Sequence, residues 1–257
     1  MTETTLTETY PRLVPTEDCP VWLREEPLAH RGLHEVDTIP ENSLAAFAAA
    51  AAAGYGVELD VTLSRDRVPV ISHDPTLERS AGRPDRIADL TVAELATVSL
   101  GGTREPVPTL AAALALLRNV PVMVELKQPS VRVGDLEAAV APLLDVHPSP
   151  WCVASFNPGS LRWFRRHRPE AVRVLTAGPI NGARLPKVLR RRLAELKDLP
   201  NVAPHAVSYD LDGLPNGPCD AWRSRGGVLI AWTADSRDTL ARARELADNV
   251  IFEHVTP

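Results

Sequence analysis

Short apolar runs alternate with helical patterns along almost the whole chain. Eight of the runs read as parallel strands: PLAHRG (27–32), VELDVTL (57–63), VPVMVELK (120–127), CVASF (152–156), VRVLT (172–176), AVSYD (206–210), VLIAWT (228–233) and NVIF (249–252). Strand-length apolar runs that alternate with helical segments are the mark of βα units. Eight of them are what a closed barrel needs, so the pattern predicts an α/β fold, a TIM (β/α)8 barrel. Between the first two runs, SLAAFAAAAAAG (43–54) predicts a helix ended by its glycine, with Pro40 and Glu41 suited to the first turn. LPKVLRRRLAELKDL (185–199) sets leucines and Val188 at helical spacing with arginines on the other side, the pattern of a solvated helix face.

One segment breaks the alternation. RVPVISHD (67–74) has the composition of a ninth strand, yet only SRD separates it from VELDVTL, too little for a crossover to a parallel neighbour. It is expected to return antiparallel as an extra β-hairpin after the second barrel strand, turning around Arg65 and Asp66. His73 then arrives about level with Asp60, at the C-terminal face where active sites of such barrels lie.

Strand parity sorts the charged residues. In VELDVTL, Val57, Leu59, Val61 and Leu63 share one face while Glu58 and Asp60 share the other, because side chains alternate along a strand. VMVELK repeats the arrangement, with Glu125 and Lys127 opposite Val122, Val124 and Leu126. An aliphatic face packed on helices turns the acids into the barrel mouth, where unpaired charges cost several kcal/mol or are neutralised by protonation. Three convergent carboxylates call for a cation, and all-oxygen ligation favours Mg²⁺ or Ca²⁺ over zinc. The competing reading is an exposed edge strand or internal salt bridges.

Composition narrows the partners. A chain of 257 residues with a net charge of −5 lacks the basic footprint of a nucleic-acid binder, which points to a small-molecule partner. The start, MTETTLTETYPRLVPTEDCP, lacks the basic and apolar regions of a secretory signal, and nowhere do about 18 apolar residues run uninterrupted as a membrane span requires. A cytoplasmic protein without integral membrane association is expected. Cys19, Cys152 and Cys219 are odd in number and widely spaced, which fits reduced thiols.

Of the seven histidines, His30 ends the first strand and His73 the hairpin return, so both are expected above the acids. An imidazole with an ordinary pKa of about 6.5 serves as acid or base near neutrality. His34 and His254 fall in loops after the first and last strands, with pocket-lining and capping roles both open. His147, His167 and His205 precede strands and are assigned no chemistry.

His30-Arg31-Gly32, Pro40-Glu41-Asn42-Ser43, Glu58-Leu59-Asp60, His73-Asp74, Glu125-Leu126-Lys127, Ser155-Phe156 and Ala231-Trp232-Thr233 stand in this order along the chain. The ordered set resembles the glycerophosphodiester phosphodiesterases from about Ala29 to the C-terminus. The resemblance implies a TIM barrel, a divalent cation held by Glu58, Asp60 and Glu125, and catalysis by His30 and His73. The implied reaction is hydrolysis of a glycerophosphodiester to sn-glycerol 3-phosphate and an alcohol. It also implies that Arg31 holds phosphate and that Gly32 keeps the backbone close. Chemistry supports these roles, since charge accumulates on phosphate in the transition state and cations must converge there. Arg31 suits a forked contact and Lys127 a compact one; Lys127 as a mere partner of Glu125 is the alternative. One histidine takes the nucleophile's proton and the other protonates the leaving alkoxide, with His30 assigned as base and His73 as acid. Glu41 either orients Arg31 or the metal shell, or favours a helix start. Trp232 either walls the head-group pocket or packs in the core.

Departures from the family pattern are local. Tyr55 precedes Gly56 where many members have Asp-Gly, Arg67 follows Asp66 where many have a DG turn, and the chain ends in DNVIFEHVTP where many have a strand finishing in Thr-Asp. Residues 27–257 are expected to form a single barrel domain, and 1–26 an N-terminal extension that covers it. Two other functions stay open: a lysophospholipase D-type phosphodiesterase acting on lipids, and a phosphodiester-binding barrel without turnover.

Overall fold

The computed structural model describes residues 19–127, 133–179 and 186–257. The chain has the TIM (β/α)8 fold: among the described residues, eight parallel strands alternate with helices, and one further strand is antiparallel. It divides into two compact units: residues 28–153 form one, and residues 154–255 with the segment before residue 28 form the other.

In the first unit, β1 (Leu28–His30) and β4 (Val122–Leu126) flank β2 (Gly56–Leu63), both in parallel, while β3 (Pro69–Ile71) pairs antiparallel with the end of β2. Val57, Leu59, Val61, Val122, Val124 and Leu126 are all nearly inaccessible to solvent, as strands covered on both faces require. The hairpin forms where expected but is shorter, and its register differs by one residue. Val61 faces Ile71 and the Ser72 N–H donates to the Asp60 carbonyl at 3.0 Å, so Ser72 rather than His73 stands level with Asp60. Arg67 occupies the turn at φ 64°, the left-handed position that favours glycine, and reaches Asp135 at 3.0 Å.

The first strand also ends earlier than its sequence pattern suggests. Arg31 takes φ 57° and Gly32 φ 81°, which turns the chain out of the sheet immediately after His30. The alanine-rich helix runs over Leu44–Ala52, with the Ser43 hydroxyl accepting from the Ala46 N–H at 3.1 Å as its cap. Pro40 and Glu41 therefore precede the helix instead of opening it, and Glu41 is free for other contacts. Phe47, fully buried on this helix, contributes about 1.5–3 kcal/mol through burial.

A longer excursion links β3 to the helix Leu110–Leu116 and has its own hydrophobic cluster: Val70, Leu77, Ile87, Leu95, Val98, Leu100 and Val107. Thr91 and Glu94 cap its short helix Val92–Leu95 reciprocally. β5 (Trp151–Ser155) carries the chain from the first unit to the second.

In the second unit, β6 (Arg173–Ala177), β7 (Ala206–Asp210), β8 (Val228–Ala234) and β9 (Asn249–Phe252) pair in parallel in sequence order. The helix expected over 185–199 is shorter, Lys187–Ala194, because Leu196 takes φ 52° and a separate turn of helix, Leu199–Val202, follows; residue 185 lies outside the described residues. Of the expected extension, residues 1–18 also lie outside them. Trp22–Glu25 forms a short helix with Trp22 and Leu23 buried, tied down by the Asn249 amide, which donates to the carbonyls of Leu23 and Glu26 at 3.1 and 2.8 Å. Cys19, Cys152 and Cys219 are not joined in disulfides. Among the described residues, no helix is long and apolar enough to cross a membrane.

Candidate active site

Register alone brings the acids of the first unit together. Asp60 on β2 is the partner of Glu125 on β4, and Glu58 is the partner of His30 on β1. Ligand oxygens of Glu58, Asp60 and Glu125 lie within 4.8 Å of one another, and all three residues are buried. The three acids predicted from strand parity thus converge.

The cations meet them from two sides. Lys127 Nζ stands 2.6 Å from Glu125 Oε1 and 2.9 Å from Asp60 Oδ1, so it joins two carboxylates instead of pairing with Glu125 alone. Arg31 Nε lies 3.2 Å from Asp60 Oδ2, and its Nη1 donates to Glu41 Oε1 at 2.8 Å. Burial opposes ionisation of Asp60, but Lys127 and Arg31 outweigh it and hold the carboxyl below the usual range. Burial likewise works against the Lys127 ammonium, which Asp60 and Glu125 nonetheless hold above its ordinary value. Glu58 behaves oppositely: burial pushes it well above the usual carboxylate range, and the charges of Asp60 and Glu125 push it the same way.

Two left-handed residues shape the loop that carries Arg31. The Arg31 N–H donates to the Glu58 carbonyl at 2.9 Å, and the Asn42 N–H, at φ 56°, donates back to the Arg31 carbonyl at 3.0 Å. Such conformations cost about 1–3 kcal/mol and persist where the surroundings over-determine them. Gly32 permits the turn, because a Cβ there would fall 2.6 Å from the Ala46 backbone carbon. The close approach it allows is to this helix. Asn42, buried, donates from its amide to Asp60 Oδ2 at 2.8 Å and accepts from the Asp60 N–H at 3.3 Å.

The hairpin brings the second histidine. His73 Nδ1 and Asp74 Oδ1 are 2.7 Å apart, and since a carboxylate only accepts, the proton lies on Nδ1 and Nε2 is the nitrogen left for chemistry. Burial lowers the pKa of His73, and Lys127 and Arg31 add to this against the pull of Asp60 and Asp74. Arg79 Nε donates to Asp74 Oδ2 at 2.6 Å, while its two terminal nitrogens grip both oxygens of Glu41 at 2.8 Å each. Burial raises the Glu41 pKa, yet Arg79 and Arg31 prevail and keep it lowered. Of the two readings of Glu41, the geometry bears on the first: it contacts Arg31 and takes no part in a helix turn.

Chemical roles for Asn42, Asp74 and Arg79 were not legible in the sequence, though Asn42 and Asp74 fall inside recurrent motifs. Trp232 belongs to the other compact unit, on β8, where its ring meets Phe156 edge-on with centroids 5.6 Å apart.

The donor set fits a hard divalent cation. Glu58 Oε1 is buried and accepts no hydrogen bond. An orphaned carboxylate oxygen amid two more carboxylates is poorly accommodated by protein groups alone and well accommodated by oxygen-seeking Mg²⁺ or Ca²⁺.

Comparisons with known proteins follow the same lines. The model of the glycerophosphoryl diester phosphodiesterase family matches residues 30–255. The putative glycerophosphodiester phosphodiesterase YhdW of Bacillus subtilis is 26% identical over 238 residues, which cover 88% of this chain and 93% of that protein. Glycerophosphodiester phosphodiesterase 1 of Rattus norvegicus is 30% identical over 174 residues, 61% of this chain and 50% of the rat protein. This chain therefore aligns with about half the length of the rat relative. Among solved structures, an Oleispira antarctica phosphodiesterase in complex with the product sn-glycerol-3-phosphate superposes with a TM-score of 0.73 at 24% identity, covering 88% of this chain and 92% of that one. At that identity the likeness speaks for the fold.

Proposed function

The chain belongs to the glycerophosphoryl diester phosphodiesterase family of phosphoric diester hydrolases, and from that premise we propose that it hydrolyses glycerophosphodiesters to sn-glycerol 3-phosphate and an alcohol. The observation that carries the reading is the convergence of Glu58, Asp60 and Glu125 with Arg31 and Lys127, with His30 in register with Glu58 and His73 next to Ser72, which bonds Asp60. The Oleispira relative, solved with sn-glycerol-3-phosphate, supports the same product here.

Glu58, Asp60 and Glu125 would hold one divalent cation, Mg²⁺ or Ca²⁺. When bound, such an ion supplies Lewis-acid stabilisation for the negative charge that builds on the phosphoryl oxygens. Arg31 binds the phosphate through its planar guanidinium, whose orientation Glu41 and Asp60 fix before substrate arrives. Lys127 adds a compact positive charge beside Asp60 and Glu125. His30, beside Glu58 at the end of β1, takes the proton of the nucleophile. His73, as the imidazolium with its Nδ1–H held by Asp74, protonates the leaving oxygen from Nε2 and returns to the neutral Nδ1–H form. Burial loosens its hold on that proton, which makes it readier to give.

The odd number and wide spacing of the three cysteines support a cytoplasmic setting for the protein. Residues 27–257 are read as one catalytic barrel domain, and the small-molecule diester as its partner. The test is release of glycerol 3-phosphate, measured by a coupled assay, from glycerophosphocholine, glycerophosphoethanolamine and glycerophosphoglycerol, with a lysophospholipid in parallel. Release from the deacylated diesters supports the proposal. Turnover of the lysophospholipid alone would replace it with a lysophospholipase D-type activity, and turnover of none with a binding role.

A further inference from the structure

We infer that Arg79 is a positioning residue that locks the phosphate-binding arginine and the acid histidine into one rigid frame; the inference rests on the roles proposed for Arg31 and His73. Five side chains form a continuous chain of contacts: Arg31 to Glu41 at 2.8 Å, Glu41 to Arg79 at 2.8 Å twice, Arg79 to Asp74 at 2.6 Å, and Asp74 to His73 at 2.7 Å. Charges alternate from Arg31 through Glu41 and Arg79 to Asp74, and the Nδ1–H of His73 closes the chain on Asp74. Remove Arg79, and the chain separates into two pairs, each ending in a carboxylate that has lost its fork-shaped partner.

The geometry is specific to a guanidinium. Arg79 uses Nε for Asp74 and both terminal nitrogens for Glu41, three donors in one plane that an ammonium cannot reproduce. Its side chain is 49% exposed, so its packing adds little to the core. Its carrier, however, is firmly built. The helix Glu78–Ala81 follows Leu77, a member of the excursion's hydrophobic cluster, and is closed by Gly82 at φ 65°, whose N–H donates to the Glu78 carbonyl. An exposed side chain delivered by a well-packed segment onto the two carboxylates that orient Arg31 and His73 has the form of an alignment device. Both neighbours are held indirectly: Arg31 through Glu41, and the Nδ1–H tautomer of His73 through Asp74.

The test compares wild type with Arg79→Ala and Arg79→Lys on glycerophosphocholine and on a nitrophenyl diester, alongside melting temperatures and the ring-nitrogen NMR signals of His73. Loss of an orienting partner typically lowers activity by about 10- to 100-fold. That loss in kcat is expected for Arg79→Ala on glycerophosphocholine, with a clearly smaller loss on the nitrophenyl diester, whose leaving group needs no proton. Arg79→Lys recovers little of it, added guanidinium recovers part of it in Arg79→Ala, and melting temperatures do not change. The His73 signals report one Nδ1–H tautomer in wild type and a mixture in Arg79→Ala. Equal losses on both diesters, full recovery with lysine, or unchanged His73 signals would overturn the inference. If wild type hydrolyses no diester, the proposed function fails, and the NMR comparison still decides whether Arg79 orients His73.

Discussion

Asn42 holds Asp60 at two points, its amide donating to the carboxylate Oδ2 while its amide oxygen accepts from the Asp60 backbone N–H. The pair fixes both the rotamer of a buried acid and the strand position that carries it. Asn42→Ala leaves the Asp60 N–H unsatisfied, a loss of about 1–3 kcal/mol. It also frees the carboxylate to turn, so metal affinity is expected to fall by about 10- to 100-fold. Calorimetric titration of the variant with Mg²⁺ and Ca²⁺ checks this; wild-type affinity would make Asn42 a loop residue only.

Glu58→Gln, Asp60→Asn and Glu125→Gln each keep side-chain shape while removing a charge from the cluster. Activity is expected to vanish in all three and bound metal with it. Glu58→Gln should leave the metal-free fold as stable as wild type, because burial already favours the uncharged carboxyl there. Full activity of the wild type in excess chelator, with no retained metal, would remove the metal from the reaction.

Arg31→Lys keeps the charge beside Asp60 and loses the fork. KM for glycerophosphocholine is expected to rise while the melting temperature holds, as steady-state kinetics and thermal denaturation will show. Unchanged kinetics would assign Arg31 to the support of the loop.

The histidine pair separates by leaving group. General acid help is worth about 10²- to 10⁴-fold where the departing oxygen is a poor leaving group and little where it is a nitrophenolate. His73→Ala is therefore expected to abolish turnover of glycerophosphocholine and to spare the nitrophenyl diester, whereas His30→Ala shows no such rescue. Equal rescue in both variants would reverse or dissolve the assignment.

Gly32→Ala places a Cβ against the Ala46 backbone at a left-handed φ. Strain at such a position is worth about 1–3 kcal/mol before the clash is added. A clear fall in melting temperature, with activity lost in proportion to the displaced Arg31, is the expected outcome of denaturation and rate measurements.

The acids were legible because strand alternation is a local rule: Glu58 and Asp60 two apart on one strand, and Glu125 at the matching level of the next, need only the period of two. The barrel followed from the same rule applied eight times. What stayed hidden depends on distant or irregular backbone. For Glu41 the sequence offered Arg31 or a helix start, and the contact to Arg31 is present; its second partner, Arg79, is 38 positions away on an excursion whose path no periodicity records. The left-handed turn at Arg31 is set by a hydrogen bond to Glu58, 27 positions away, and leaves no signature in residue type, whereas asparagine at Asn42 is a residue that favours such a turn. The hairpin was legible from its three-residue connection, and its register puts Ser72, one residue before His73, level with Asp60.

The excursion after β3 has a consequence for how this protein loses function. Its cluster of Val70, Leu77, Ile87, Leu95, Val98, Leu100 and Val107 is a small reservoir of cohesion, distinct from the strands on which the acids sit. Segments of this kind open at a lower free energy than central strands, because less apolar surface has to be exposed. Mild heat or dilute denaturant is therefore expected to withdraw Arg79 while β2 and β4 keep their amides protected from exchange, as hydrogen-exchange measurements would show. Inactivation is then expected to precede unfolding and to be reversible at first, since the strands remain as a template on which the segment reseats.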